Sequence, residues 1–400
     1  MKISSFLPKS CDLHNGSVPR WIPGATTIND FLHWPDEAPK PKLSFGAIAM
    51  VGVDEALMMG LGIASRLHFP TTNYRKRCTD EMHDTLEFFT AKGWIDKPRG
   101  YHQSPPALEK VKFKHDTSRG VHYEHMTFES AYVPHTGEAG RSRWLGYTAN
   151  QTGHCWVLRH SGPQRPWLIN IHGYRMGMPY IDLPFFHTQA LHENKGLNIL
   201  HYVLPLHGPR KIGASSGDGV LTPDYLNLIH TEAQAMFELR GIINWLRNDG
   251  APQVGVHGIS LGGYTTALLA GLEGDLACAI AGVPAINLVR TTQRLNQGKL
   301  LSVMDNTGMS WRDIERMTQV ISPIALKPKV PADRRYIYAG ILDRLARPED
   351  PIDLWKHWGR PKIQWYAGNH LTFPWEKTVN TFIDNALNDC YTNYSKTSTL

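Results

Sequence analysis

The sequence predicts an α/β chain built around a mostly parallel sheet, on three observations. First, four short apolar runs end in Gly, Pro or a polar residue: Pro166–Gly173, Asn198–Gly208, Gln253–Ser260 and Leu276–Ile286. Their hydrophobicity is continuous rather than alternating, as strands covered by helices on both faces require. Second, a long helix separates the second run from the third. Thr222 is its expected N-cap, Pro223 its first helical residue and Asp224 part of its first turn. Leu228, Ile229, Met236, Leu239, Ile242, Ile243 and Leu246 recur at three- and four-residue steps, and Gly250 and Pro252 stop the helix. Third, strands and helices alternate from about residue 121 onward, the pattern of serial right-handed βαβ crossovers.

The remaining elements fall around this frame. Val121–Val133 and His154–His160 read as strands, and the polar Gly-containing stretch between them predicts antiparallel pairing. Residues 1–120 are rich in Pro, Trp and His, with helical patches at Val51–Leu67 and Asp80–Ala91, and form an expected N-terminal extension. The longest apolar stretch, Leu43–Ser65, carries Asp54 and Glu55 at its middle. Two carboxylates at a bilayer centre are costly, so a buried or amphipathic helix is expected there and no transmembrane segment. A domain over 121–390 and a loose tail over 391–400 complete the division.

Composition narrows the class. A chain of 400 residues with 42% hydrophobic and 20% charged side chains is expected to bury a sizeable core. The 42 basic and 36 acidic residues leave a net charge of +6 with no basic run, which argues against a nucleic-acid partner. Five scattered cysteines (Cys11, Cys78, Cys155, Cys278 and Cys390) form no CxxC pair and fit a reducing compartment. With no secretory h-region in the first residues, a cytoplasmic location is expected.

The sharpest chemical signal is the string His257-Gly258-Ile259-Ser260-Leu261-Gly262-Gly263, between a predicted strand and a predicted helix. A serine at such a bend adopts a strained backbone, and Gly258 and Gly262 give the room it needs. Its hydroxyl is then lifted clear of the sheet beside the positive end of the helix. Ser260 is the candidate nucleophile.

A serine hydroxyl needs a base, and on such an elbow the acid follows in the chain and the histidine comes last. Downstream of Ser260 stand His357 and His370. His370 follows the strand-like KIQWYA and precedes a predicted helix at Trp375–Leu387, so a loop at the sheet edge carries it. His357 lies on a predicted helix and is assigned to packing. Asp343 ends the strand Arg334–Asp343 and is the candidate acid. Asp350 is the reserve, since Glu349, Asp350 and Asp353 also suit a helix N-terminus. For an oxyanion, the expected donors are the N–H groups of Leu261 and Tyr174. Gly173 allows close approach of that loop, and His172 is expected to hold it by hydrogen bonds.

In this order, HGY at His172, GISLGG at Gly258, GILD at Gly340 and GNH at Gly368 make residues 121–390 resemble the α/β-hydrolase superfamily of esterases, lipases, acyltransferases and peptidases. The segment PLHGPR (Pro205–Arg210) is similar to little-characterised members of it. The resemblance implies a mostly parallel eight-stranded sheet flanked by helices, and the nucleophile, acid and base roles for Ser260, Asp343 and His370. It also implies that the long stretch at about 287–333 forms a small cap, with Leu300, Leu301, Met304, Met309, Trp311 and Met317 facing an apolar acyl or alcohol group. Tyr174 and Arg175 stand where HGGG-type esterases have glycines.

No metal site is expected: the pairs His122 and His125, His154 and His160, and His201 and His207 lack HExxH spacing or a cysteine partner. Neither GxGxxG after a strand nor GxxxxGK[ST] occurs, so no cofactor is expected. The function expected is hydrolysis of a carboxylic ester of a small-molecule acyl substrate. Peptidase, amidase or acyltransferase chemistry shares the same residues, and a non-catalytic binding protein on the same fold is the alternative of a different kind.

Overall fold

The computed structural model of the chain describes residues 35–41, 44–67, 72–295 and 309–395. Cys11, and Leu300, Leu301 and Met304 of the expected cap, lie outside them. Among the described residues, nine strands make one sheet: β1 (Lys112–Ser118), β2 (Val121–Glu129), β3 (Thr152–Leu158), β4 (Trp167–Ile171), β5 (Asn198–Tyr202), β6 (Val254–Ile259), β7 (Ala279–Gly282), β8 (Arg335–Gly340) and β9 (Lys362–Tyr366). Their order is β1-β2-β3-β5-β4-β6-β7-β8-β9. The pairs from β1 to β3, and β3 with β5, are antiparallel; every pair from β5 to β9 is parallel.

The ninth strand is β1, which lies before the expected boundary at residue 121. Its sequence, KFKHDTS, is mostly exposed at the sheet edge and lacks the apolar run of a core strand. By contrast, every residue of β4, β5, β6, β7 and β8 is buried, as their unbroken hydrophobicity requires.

Ten helices are used below: α1 (Phe45–Leu67), α2 (Thr72–Ala91), α3 (Pro179–Phe185), α4 (Thr188–Glu193), α5 (Tyr225–Asn248), α6 (Leu261–Leu272), α7 (Leu288–Leu295), α8 (Trp311–Thr318), α9 (Glu349–His357) and α10 (Lys377–Ser395). Two apolar clusters cover the two faces of the sheet. One joins Ile169, Leu200 and Val256 to α5, α6 and α8; the other joins Leu168, Ile199 and Ile259 to α3, α4 and α10. Met309 and Met317 sit buried in the first cluster with the half-buried Trp311 packed against it.

The long helix starts two residues later than its sequence suggests. Asp224 is the N-cap and accepts the Asn227 N–H, while Thr222 Oγ1 accepts the N–H of Asp224 from the preceding turn. Arg77 and Arg143 hold the Asp224 carboxylate at 2.9 and 3.6 Å, a tie that Thr222 has no charge to make.

Helix α5 is buried nearly throughout and carries polar groups into the interior, so each must find a partner. Arg210, 0% exposed, donates two 2.7 Å hydrogen bonds to Glu238, which also accepts from Ser130, Tyr202 and Gln234. Burial alone would raise the Glu238 carboxyl pKa, yet Arg210 holds it below its ordinary value. Removing one partner strands a buried charge. Glu238→Ala is therefore expected to cost about 3–5 kcal/mol in urea unfolding, and Arg210→Met combined with Glu238→Leu to recover about half of that or more.

Candidate active site

Strand β4 leads to β5 on one side, and β6 leads to β7 on the other, so the chain reverses direction between β4 and β6. At such a switch point the loops at the carboxyl ends of the strands diverge and leave a crevice. The loop after β4 begins at His172 and the turn after β6 is Ser260.

Ser260 has φ 55° and ψ −115°, a backbone state that costs a non-glycine residue about 1–3 kcal/mol. Its N–H donates to Gly282 O at 2.8 Å, tying the bend to the end of β7. The two flanking glycines are dictated by space. A Cβ on Gly258 would stand 2.0 Å from Gly262 O, and one on Gly262 would stand 2.0 Å from Ile171 O. Ser260 itself remains partly exposed.

Asp343 lies three residues beyond the end of β8 and is 2% exposed. Its Oδ1 accepts the N–H groups of Leu345 and Ala346 at 2.9 and 2.8 Å. Its Oδ2 lies 2.7 Å from His370 Nδ1, in the loop after β9. His370 Nε2 lies 2.9 Å from Ser260 Oγ. With the proton on Nδ1 facing the carboxylate, Nε2 is left as an acceptor for the serine O–H. Burial would lower the pKa of His370, but the charge and hydrogen bond of Asp343, with the charge of Asp54 added, hold it above its ordinary 6.5.

The other candidates stand elsewhere. Asp350, in the first turn of α9, lies 3.5 Å from Arg290 Nη1, and His357 Nε2 bonds to Leu326 O at 2.9 Å.

The loop after β4 presses on the serine. A Cβ on Gly173 would meet Ser260 Cβ at 3.3 Å. His172 Nε2 accepts the Leu204 N–H at 3.0 Å, which leaves the proton on Nδ1, 2.8 Å from Gly173 O. Burial pushes its pKa down to about 4, so the ring is neutral near pH 7. The Arg175 guanidinium stacks 4.9 Å from the Tyr174 ring and pairs with Asp218. Gly177 N–H donates to Asp182 Oδ1 at 3.1 Å.

Segment Pro205–Arg210 packs on this loop: a Cβ on Gly208 would stand 2.0 Å from Gly177 O, and Gly208 N–H donates to Ser216 Oγ at 2.8 Å. Among the described residues, nothing accepts the N–H of Tyr174 or of Leu261.

One residue at the site has no counterpart among the candidates. Asp54, on α1, is 0% exposed and accepts the backbone N–H of His370 at 3.0 Å and of Arg344 at 3.1 Å. Its signal was a carboxylate at the centre of the longest apolar run, which by itself argued only against a membrane span. Among the described residues no helix is long and apolar enough to cross a membrane, and no cluster of three or more His, Cys, Asp or Glu is set to hold a metal ion.

No protein-family model matches the chain. Among solved structures, acetyl xylan esterase 1 from Thermoanaerobacterium sp. JW/SL YS485 superposes with a TM-score of 0.52 at 14% identity, over 75% of this chain and 93% of that one. The acetyl xylan esterase from Paenibacillus sp. R4 superposes with a TM-score of 0.50 at 14% identity, over 72% and 98%. With the sheet order above, these likenesses define the class: the chain has the α/β-hydrolase fold.

Two Mycobacterium tuberculosis proteins are similar over most of its length. Uncharacterized protein MT2702 of strain CDC 1551 / Oshkosh is 38% identical over 376 residues, 91% of this chain and 87% of that protein. Uncharacterized protein Rv2627c of strain ATCC 25618 / H37Rv is 37% identical over the same shares. The chain belongs to the family of these two proteins.

Proposed function

We propose that the protein is a serine hydrolase that cleaves a carboxylic ester of a small-molecule substrate through an acyl-enzyme on Ser260. The observation that carries this reading is the unbroken hydrogen-bond chain from Asp343 through His370 to Ser260, with contacts of 2.7 and 2.9 Å. Ser260 Oγ attacks the acyl carbonyl while its proton passes to His370 Nε2. The carbonyl π pair moves onto oxygen, and the N–H groups of Leu261 and Tyr174 are the donors for that oxyanion. Collapse of the intermediate breaks the ester C–O bond, and His370 returns the proton to the leaving alcohol. Water, deprotonated by the same imidazole, then releases the acid and frees Ser260. Asp343 holds the ring in the correct tautomer and offsets the imidazolium charge.

Support comes from the strained, partly exposed serine, the two uncommitted N–H groups, and fold neighbours that are esterases. A cytoplasmic setting is in keeping with Cys78, Cys155, Cys278 and Cys390 as free thiols.

A fluorophosphonate probe is expected to label the wild-type protein once per chain and to leave folded Ser260→Ala unlabelled; an unlabelled wild type would reject the reading in favour of a binding protein. A panel of p-nitrophenyl esters of rising chain length, beside aminoacyl amides and acyl-CoA, separates the reaction classes, and turnover confined to amides or to acyl transfer would overturn ester cleavage.

The pH dependence follows from the sign of the His370 shift. The base works only when unprotonated, so a pKa above 6.5 moves the acid limb of kcat/KM to higher pH. Asp343→Asn is expected to lower that pKa and to reduce kcat by roughly 10⁴-fold, measured between about pH 5 and 9. Asp350→Asn is expected to leave the profile in place, and the reverse pattern would move the acid to Asp350.

A further inference from the structure

Helix α1 belongs to a region with no chemical motif of its own, yet it meets the site at the two loops that matter. Asp343 sits in one loop and His370 in the other, and the loops follow neighbouring parallel strands β8 and β9. One oxygen joins them. Asp54 Oδ2 accepts the N–H of His370 itself and the N–H of Arg344, the residue after Asp343. Two further ties flank it: Arg344 Nε to Glu55 Oε1 at 2.9 Å, and Asn369 Nδ2 to Met50 O at 3.0 Å.

From these contacts we propose that Asp54 is a positioning residue for the reaction assigned above, fixing His370 against Ser260 by clamping the acid and base loops to α1. The proposal rests on the hydrolase reading and adds to it a part supplied from outside the strands and loops that carry Ser260, Asp343 and His370.

Packing alone does not explain a carboxylate here. Asp54 is fully buried, and its Oδ1 has no hydrogen-bond partner among the described residues, a costly state for a merely structural group. Burial and the nearby charge of Asp343 push its pKa up to about 6, so it is mainly ionised above neutrality. The ionisable groups facing it and His370 are Asp343 and, at the end of β9, Tyr366; Glu55 and Arg344 pair with each other beside it. As an anion Asp54 also favours the imidazolium form of His370, the form that appears in the transition state.

Charge and geometry separate by substitution. Asp54→Asn keeps an oxygen able to accept both N–H groups but removes the charge, whereas Asp54→Ala removes both. In the full chain, Asp54→Ala is expected to lower kcat about 10- to 100-fold with KM little changed, because a misplaced base affects the chemical step more than binding. Asp54→Asn is expected to restore most of kcat at alkaline pH while moving the acid limb toward lower pH. The same shift is expected in the titration of the His370 ring followed by NMR, which needs no turnover. That titration reads the charge of Asp54 on His370 even if probe labelling rejects the hydrolase reading, and the kcat of Asp54→Asn keeps the clamp testable if Asp54→Ala fails to fold. A loss of kcat of about 10-fold or more in Asp54→Asn at alkaline pH, or wild-type kcat in folded Asp54→Ala, would overturn the proposal.

Discussion

The structure depends on a crowding constraint at one bend. For Ser260 to leave β6 and enter α6 within a single residue, the backbone must pass so close to itself and to β4 that Gly258 and Gly262 have no space for a side chain. The strain at Ser260 is held by surrounding packing, including the hydrogen bond from its own N–H to the end of β7. A partly exposed hydroxyl at the N-terminus of a buried helix results. Everything else at the site is arranged around that fixed point.

Three separate parts of the chain converge on it. The loop after β4 brings Gly173 against the serine and is itself held by His172, by Asp182 and by the segment from Pro205 to Arg210. From β8 and β9 come the carboxylate and the imidazole. Helix α1 closes the far side through Asp54, so a region that looks peripheral in the sequence touches the backbone of His370. Rigid strands set the coarse positions, and hydrogen bonds between loops set the last ångström.

Much of this was legible from residue order alone. The continuous apolar runs identify β4, β5, β6 and β7 because strands buried on both faces leave no room for alternation. The elbow was readable because its glycines answer a local steric demand. Asp343 and His370 were readable from where they stand relative to strand ends. Less legible was β1, whose charged, exposed side chains carry no burial signal. The start of α5 moved from Thr222 to Asp224 because Arg77 and Arg143, distant in sequence, reward a carboxylate at the cap. Asp54 escaped for the same reason: its partners are backbone N–H groups about three hundred positions away, and no local pattern encodes such a contact.

The most direct measurement is a crystal structure of the full chain after reaction with a fluorophosphonate. The phosphorus is expected on Ser260 Oγ, with its free oxygen about 2.7–3.1 Å from the N–H groups of both Leu261 and Tyr174, and with His370 Nε2 facing the leaving-group side. Phosphorus on another residue, or an oxygen turned to solvent away from both N–H groups, would contradict the proposed chemistry.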